Sequence, residues 1–498
     1  MREVELKLEV DAEDLEALAR APLLRSAPPP RRERLQATYF DTPGHLLRRS
    51  GMALRVRREG ERWVQCLKAG HSGEAGLHSR DEWESPRPDA SLDLDLLAGT
   101  PLAPVLEDGN PDHVLRAMFT VDMERTTWSV ALSARDRVEV VADQGEVRHG
   151  RRRSPVCEVE IESVTGDPMA VFAAAEALLG VVPLRASSVT KAQRGYALAL
   201  RERPRPARAT AVPLLREDGV DVAARRVVGA ALAQLQANAA HAALGDEWLH
   251  QFRVGLRRLR SALRIFRDSF GRQLRRDMRA DCRWLSRVTG EARDLDVFIE
   301  AMLGSGDRGS TLERRAKHAR AAARRAVGVA LASERYTRFV LRFARWLATE
   351  DEPVHRDLMN TAASALDRKY ERAMHGLRHL ERLDASGRHR VRIRLKRLRY
   401  ACEMLGSLYG RDAVAAYAHA VAQLQDDLGV EADAMAALRL LEQLATDVAS
   451  HATARRRWRD RARRALANAH LHIAAVRDAP RFWHDDATAA QAESSQPD

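Results

Sequence analysis

Glu3, Glu5 and Lys7 stand at alternate positions at the head of the chain, with Val4, Leu6 and Leu8 between and after them. Successive side chains of an extended strand point to opposite faces, so the charged groups share one face and the aliphatic groups the other. The same striping recurs in Arg55 and Arg57, in Arg80, Glu82 and Glu84, in Glu139 and Asp143, and in Glu158, Glu160 and Glu162. One such stripe is the ordinary solvated face of a sheet. Its recurrence over most of the extended segments describes a surface on which carboxylates and cations are mixed throughout.

That mixture suits a particular chemistry. Cations gather a chain of phosphates, but bare carboxylates beside it would repel it, by about 4 kcal/mol per pair of unit charges about 4 Å apart at an effective dielectric of about 20. The conflict disappears if the carboxylates hold a divalent ion, because Mg²⁺ and Mn²⁺ prefer oxygen ligands and bridge to phosphate oxygens. Such an ion polarises a phosphoryl oxygen or supplies an activated water. Lys and Arg then stabilise charge on the transferred phosphoryl group and its leaving group.

Holding these groups around one space requires a closed sheet. Alternating segments predict strands near 2–10, 34–42, 51–59, 62–69, 77–85, 118–130, 135–147 and 155–165. Eight strands separated mostly by turn signals read as an antiparallel β-barrel or tunnel within an α+β domain over 1–200, with helices expected near 11–20, 91–98, 111–116 and 167–180. The pattern ends in a linker over 201–212, RERPRPARATAV, where prolines and arginines break every periodicity. From 213 to about 485 the period becomes 3.6 and predicts an all-α domain. Gly304–Thr311 reads as a flexible loop inside it, and 486–498 as a disordered tail.

The helical half repeats itself. His250, Arg253, Arg257, Arg258 and Arg260 recur 139 residues later as His389, Arg392, Lys396, Arg397 and Arg399, and Leu285, Gly290 and Asp294 recur as Leu424, Gly429 and Asp433. The register predicts two related units over about 213–350 and 351–485. In each copy the His and three basic residues fall on one helix face. Phe252, Leu256, Leu259, Leu263 and Phe266 form the core stripe of the first, and Val391, Leu395, Leu398, Cys402 and Leu405 that of the second. The alternative is a pair of solvated basic faces, but repetition with histidine at the same point favours a cationic surface for a flexible polyanion. Metal binding at His250 and His389 is the weaker reading, since i+3 and i+4 hold Arg, Val or Ile. Asp294, Asp296 and Asp433 are expected to anchor the basic helices through ion pairs.

Charge separates the two halves. Residues 1–212 hold 31 Lys/Arg against 33 Asp/Glu, a balance of −2, whereas 213–498 hold 51 against 37, a balance of +14. The basic half calls for an anionic partner. Nucleic acid is disfavoured by the lack of a base-reading motif and by an aromatic content of 5%. No apolar run reaches the length of a membrane span, the first residues do not read as a signal peptide, and the four cysteines are scattered without a CxxC pair. A soluble, reduced, cytoplasmic protein is expected. No sequence feature specifies an oligomeric state.

The N-terminal residues resemble the CYTH superfamily, the triphosphate tunnel metalloenzymes. Glu3-Val-Glu5-Leu-Lys7 is similar to its ExExK signature, and the likeness continues through Tyr39-Phe-Asp41-Thr42, Gly51 to Arg57, Lys68, Arg125, Asp143-Gln-Gly145, Glu158 to Glu162 and Ser188 to Tyr196. The resemblance implies a tunnel that hydrolyses a triphosphate with Mg²⁺ or Mn²⁺. By motif position Glu3, Glu5, Asp143, Glu158 and Glu160 become metal ligands, and Lys7, Arg55, Arg57, Lys68, Arg125 and Lys191 become phosphate contacts. Glu82 and Glu162 are weaker candidates, and Lys7 with Tyr39 is expected to tune the attacking water. The two-domain arrangement resembles bacterial inorganic triphosphatases, with thiamine triphosphate, nucleoside triphosphates or a purely binding role as alternatives. The helical half resembles the CHAD domain. That resemblance implies two pseudo-symmetric four-helix bundles that bind long-chain inorganic polyphosphate and associate with polyphosphate granules. The second unit departs where Ala432 replaces the counterpart of Arg293.

Overall fold

The computed structural model describes residues 2–70, 77–106, 114–303, 310–349, 356–445 and 451–484. It divides into two compact units, Met1–Arg205 with Ala332–Glu350, and Pro206–Leu331 with Asp351–Asp498. The expected loop at 304–311 falls mainly, and the expected tail wholly, outside the described residues.

The first unit is a closed antiparallel barrel. Its strands are β1 (Arg2–Glu9), β2 (Arg31–Asp41), β3 (Met52–Glu59), β4 (Arg62–Ala69), β5 (Leu77–Arg87), β6 (Arg116–Ala131), β7 (Arg137–His149) and β8 (Arg152–Thr165), with a two-residue β9 (Arg185–Ala186). The sheet runs β5-β4-β3-β2-β6-β7-β8-β1-β9, and pairing of β1 with β5 closes it. On that edge β5 covers Arg2–Leu6 and β9 continues beside Leu8 and Glu9, which is why nine strands occur where eight were expected. The helix expected near 111–116 lies partly outside the described residues, and Arg116 opens β6.

Along several strands the inward face changes from apolar to charged. Phe119, Val121 and Met123 precede Arg125 on β6, and Val156 precedes Glu158, Glu160 and Glu162 on β8, always at period two. The apolar parts close into an aromatic floor in which Tyr39 stacks on Phe119 with ring centroids 4.7 Å apart. Gly145 sits opposite Met123, where a Cβ would come within 2.2 Å of the Asp122 carbonyl oxygen. On the outward face Leu6, Leu8 and Ile161 are fully buried, and helix α1 (Ala170–Leu179) packs on β1, β7 and β8. Helix α2 (Lys191–Ala199) packs against β6, β7 and β8 and adds Tyr196 to the floor.

The second unit is helical. Helices α3 (Val220–Ala239), α4 (Asp246–Ile265), α5 (Arg272–Leu303) and α6 (Thr311–Leu331) form one four-helix set. Its counterpart comprises α8 (Leu358–Leu377), α9 (Ala385–Leu405), α10 (Arg411–Leu444) and α11 (Ala452–Asp478). Successive helices pack within each set, and α4 meets α9 while α5 meets α10. A core of Phe298, Leu312, Ala437, Leu441 and Trp458 joins the sets. The intervening α7 (Glu334–Ala348), which the sequence pattern assigns to the first helical repeat, belongs instead to the barrel unit. There it packs on α1 and β9, and Thr337 donates to the Leu184 carbonyl.

Candidate metal and phosphate site in the barrel

The charged ends of the strands meet around a cavity of about 280 Å³ lined by Glu5, Lys7, Tyr39, Arg55, Arg57 and Lys68, and further by Glu82, Glu84, Arg125, Glu160, Glu162 and Lys191. Register explains the convergence. On the β1–β8 ladder Glu5 lies opposite Glu162 and Lys7 opposite Glu160, while on β7 Asp143 lies between Arg125 and Glu158. Directly opposed residues of an antiparallel pair share a face, so these groups point inward together.

Two groups of carboxylates are close enough to hold an ion. In each of Glu5, Glu160, Glu162 and Asp143, Glu158, Glu160, one oxygen per residue lies within 4.8 Å of the others. Glu160 belongs to both. Glu158 Oε2 is buried without a hydrogen-bond partner among the described residues, as expected of an oxygen that completes its bonding with a cation. Hard carboxylate oxygens match Mg²⁺ or Mn²⁺. The residues present therefore fit a divalent metal. Glu3 lies on β1, and its side chain is outside the described residues, as is that of Arg80.

The two buried lysines neutralise this cluster. Lys191 Nζ lies 2.5 Å from Glu158, 2.7 Å from Asp143 and 2.9 Å from Glu160. It occupies the first turn of α2, where the helix dipole disfavours a cation, so the carboxylates must hold it there. A reciprocal cap between Thr190 and Gln193 fixes that turn. Lys7 contacts Glu160 and lies 3.2 Å from Glu158. Burial opposes the charge on both lysines, but the carboxylates prevail and raise both pKa values, that of Lys191 well above the usual range. Glu160, despite its burial, is held well below the carboxylate range by Lys191, Lys7 and Arg125. Both lysines are thus held as cations against these carboxylates.

The remaining cations differ in their partners. Arg125 forks onto Asp143 at 2.6 and 2.8 Å and reaches Glu160 at 3.1 Å. Arg57 contacts Glu59 and Glu84, and Lys68 lies 3.2 Å from Glu82. Arg55 is distinct: it donates to the Tyr39 hydroxyl at 3.3 Å, and among the described residues its buried Nε has no hydrogen-bond partner and no carboxylate forms an ion pair with it. Tyr39, fixed by its stack on Phe119, thus orients Arg55. Among residues lining the cavity, sequence reading underweighted Glu162 and missed α2. The Thr190-x-x-Gln193 capping signal was the available clue to α2, whereas the pairing of Glu5 with Glu162 emerges only from the strand register.

In the helical unit the repeated basic residues separate. His250, Arg253 and Arg257 of α4 meet Arg392 and Lys396 of α9 around a cavity of about 170 Å³, with Arg293, Asp294 and Asp433 completing its charged lining. Pairs 139 residues apart thus converge at one place. Burial, then neighbouring cations, pushes His250 down to about 4, and burial, Arg392 and Arg257 push Lys396 down to about 6. Arg392 lies 3.6 Å from Asp433, and Asp296 pairs with Arg324 at 2.8 Å. The other basic residues do not join this cavity. Arg258 is buried and donates to the Thr210 carbonyl, Arg260 donates to Ser286 Oγ, and Arg399 pairs with Glu403. His389 is exposed outside the lining, and Arg397 faces a different cavity. A helix turns about 100° per residue, so one sequence motif supplies more than one face.

Comparison with known proteins agrees with both units. A model of the CYTH domain matches residues 1–196, and a model of the CHAD domain matches residues 226–442. The chain belongs to the proteins in which a CYTH domain precedes a CHAD domain. It is 32% identical over 163 residues to a Haemophilus influenzae protein named an inorganic triphosphatase, a match covering 32% of this chain and 45% of that protein. The chain thus spans less than half the length of this curated relative. Among solved structures, the CHAD domain of Ricinus communis is 30% identical, covering 59% of this chain and 98% of that one at a TM-score of 0.45. A Hippeastrum protein described as having a dominant triphosphatase activity is 20% identical, covering 39% of this chain and 95% of that one at a TM-score of 0.29. No helix among the described residues is long and apolar enough to cross a membrane.

Proposed function

We propose that the barrel hydrolyses inorganic tripolyphosphate to diphosphate and phosphate with Mg²⁺ or Mn²⁺, and that the helical unit binds long-chain inorganic polyphosphate. The observation carrying the first part is the ring of carboxylates and cations around one cavity, with Arg55 oriented by Tyr39 and lacking a carboxylate ion pair among the described residues. Glu5, Glu160 and Glu162, with Asp143 and Glu158 behind them, would hold the metal. When bound, the metal supplies a Lewis acid for a phosphoryl oxygen and lowers the pKa of a coordinated water. Arg55, Arg57 and Lys68 bind and align the phosphate chain, and Arg125, Lys7 and Lys191 hold the carboxylates in place. Water oxygen bonds to the terminal phosphorus as the bridging P–O bond breaks, the bridging electron pair leaves on diphosphate, and the proton lost by the water passes to the diphosphate or to bulk water. Tyr39 is the lone aromatic among the described lining residues, which favours an inorganic substrate over one carrying a base or thiazole ring.

The second part rests on the paired basic residues of α4 and α9 converging on one cavity. Cytoplasmic residence and association with polyphosphate granules fit this reading. Phosphate release from tripolyphosphate, thiamine triphosphate and ATP, each with Mg²⁺, Mn²⁺ or chelator, tests the substrate. Faster release from ATP or thiamine triphosphate would refute the inorganic assignment.

A further inference from the structure

Asp41 and Tyr196 stand in segments that carry the sequence resemblance, yet neither lines the barrel cavity. Asp41 ends β2 and is fully buried. Its carboxylate accepts from Thr42 N at 2.7 Å, Leu47 N at 2.9 Å and Arg48 N at 3.1 Å, which folds the following loop around it. A turn needs no more than these. A further donor, the Tyr196 hydroxyl at 2.6 Å, reaches the same carboxylate from α2, 155 residues away in the chain.

α2 carries Lys191 as well as Tyr196. At about 100° and about 1.5 Å per residue, these two lie about 140° apart around the helix and about 7.5 Å apart along it. Holding both points therefore fixes the helix against rotation and against sliding. The ion pairs of Lys191 cannot do this alone, because its ammonium is a point charge on a flexible four-carbon stem. Tyr196 is rigid by comparison. Its ring meets Phe119 edge-on with centroids 5.3 Å apart, and Gly195 lies so close that a Cβ there would stand 2.1 Å from the Phe119 ring. Arg48, whose amide binds Asp41, lies over the Tyr196 ring at 5.3 Å and forks onto Glu202 beyond α2. A phenol donating to a buried carboxylate is a strong, directional bond.

We propose that Asp41 is a positioning residue: through Tyr196 it fixes α2 and so holds Lys191 Nζ among Asp143, Glu158 and Glu160. Its consequence for hydrolysis rests on the proposed function of those carboxylates, whereas the positioning of Lys191 does not.

The test is acylation of Lys191 in the full chain, with chelator present, followed by peptide mass spectrometry. Labelling requires Nζ to leave the carboxylates, and a loosened α2 makes that opening easier. Tyr196→Phe keeps the aromatic ring and leaves Asp41 its three backbone donors. It should speed labelling of Lys191 at least about tenfold, with Lys7 of the same cluster and Lys369 of the helical unit unchanged. Asp41→Asn should also speed it, and the double variant should label no faster than Tyr196→Phe, because both act through one bond. In steady-state kinetics with Mg²⁺, Tyr196→Phe should lower kcat for tripolyphosphate about tenfold and leave KM within about twofold, since Arg55, Arg57 and Lys68 still bind substrate. Unchanged labelling of Lys191, equal acceleration at Lys7 and Lys369, additive effects in the double variant, or unchanged kcat would overturn the proposal. Absence of turnover in the unaltered chain would instead refute the proposed hydrolysis, and the labelling would still decide what positions Lys191.

Discussion

Arg55 and the buried lysines carry different burdens, and their variants should differ accordingly. Arg55 has a described hydrogen bond to Tyr39 and no described carboxylate ion pair, so its charge is available to substrate. Arg55→Ala should lower kcat/KM for tripolyphosphate by about 100-fold, roughly the loss of one strong charge-assisted contact, whereas Tyr39→Phe should cost only about tenfold. Equal losses in steady-state kinetics would show that Tyr39 does more than orient Arg55. Lys191 instead holds carboxylates together. Asp143 and Glu160 have lowered pKa values in the folded state, so their stabilisation is present above the ordinary carboxylate range and is lost as pH falls through the lowered values. Lys191→Met should therefore move acid unfolding, followed by circular dichroism, to higher pH. An unchanged midpoint would deny that role.

At the scale of elements, strand register does the positioning. Gly145→Ala would drive a Cβ into the backbone of β6 and should destabilise the barrel by about 2–4 kcal/mol in denaturant unfolding. A cost below about 0.5 kcal/mol would mean that β6 and β7 separate easily. The long strands were legible because charge and aliphatic residues alternate through them, and Glu5, Lys7 and Glu160 were legible with them. The short pairing of β9 with β1 was not, since two residues carry no periodicity, and the signal for α2 was confined to its cap. Among the helices, a 3.6 period revealed the repeated core stripes but not the packing of α7 on the barrel. Nor could one motif reveal the cavity that Arg397 faces, whose lining comes from several helices. Arg258 shows the same limit, since only tertiary packing turns it toward Thr210.

The electrostatics of the α4–α9 cavity make a prediction about binding. Lys396 is pushed down to about 6 by burial and by Arg392 and Arg257, with Asp433 opposing. His250, Arg253, Arg293 and Asp294 also line the space. Near pH 7.5 the free amine is mostly neutral, and a polyanion should raise its pKa and draw in a proton. Calorimetry in buffers of different ionisation enthalpy should show proton uptake on polyphosphate binding, diminished in Lys396→Met, with affinity falling as pH rises. Buffer-independent heats would contradict this.

In the whole molecule, the proposed function makes hydrolysis depend on metal and polyphosphate retention independent of it. Chelator should abolish turnover while leaving long-chain polyphosphate bound to the helical unit, measured by co-sedimentation or filter retention. In the proposed function the inward carboxylates of the barrel support metal-dependent cleavage of a triphosphate. Its most direct measurement is phosphate release from tripolyphosphate by the full chain and by Glu5→Gln, with Mg²⁺ or Mn²⁺ and after chelation. Release should occur only with metal and should be reduced at least about 100-fold in the variant. Equal release by Glu5→Gln, or release that persists after chelation, would contradict it.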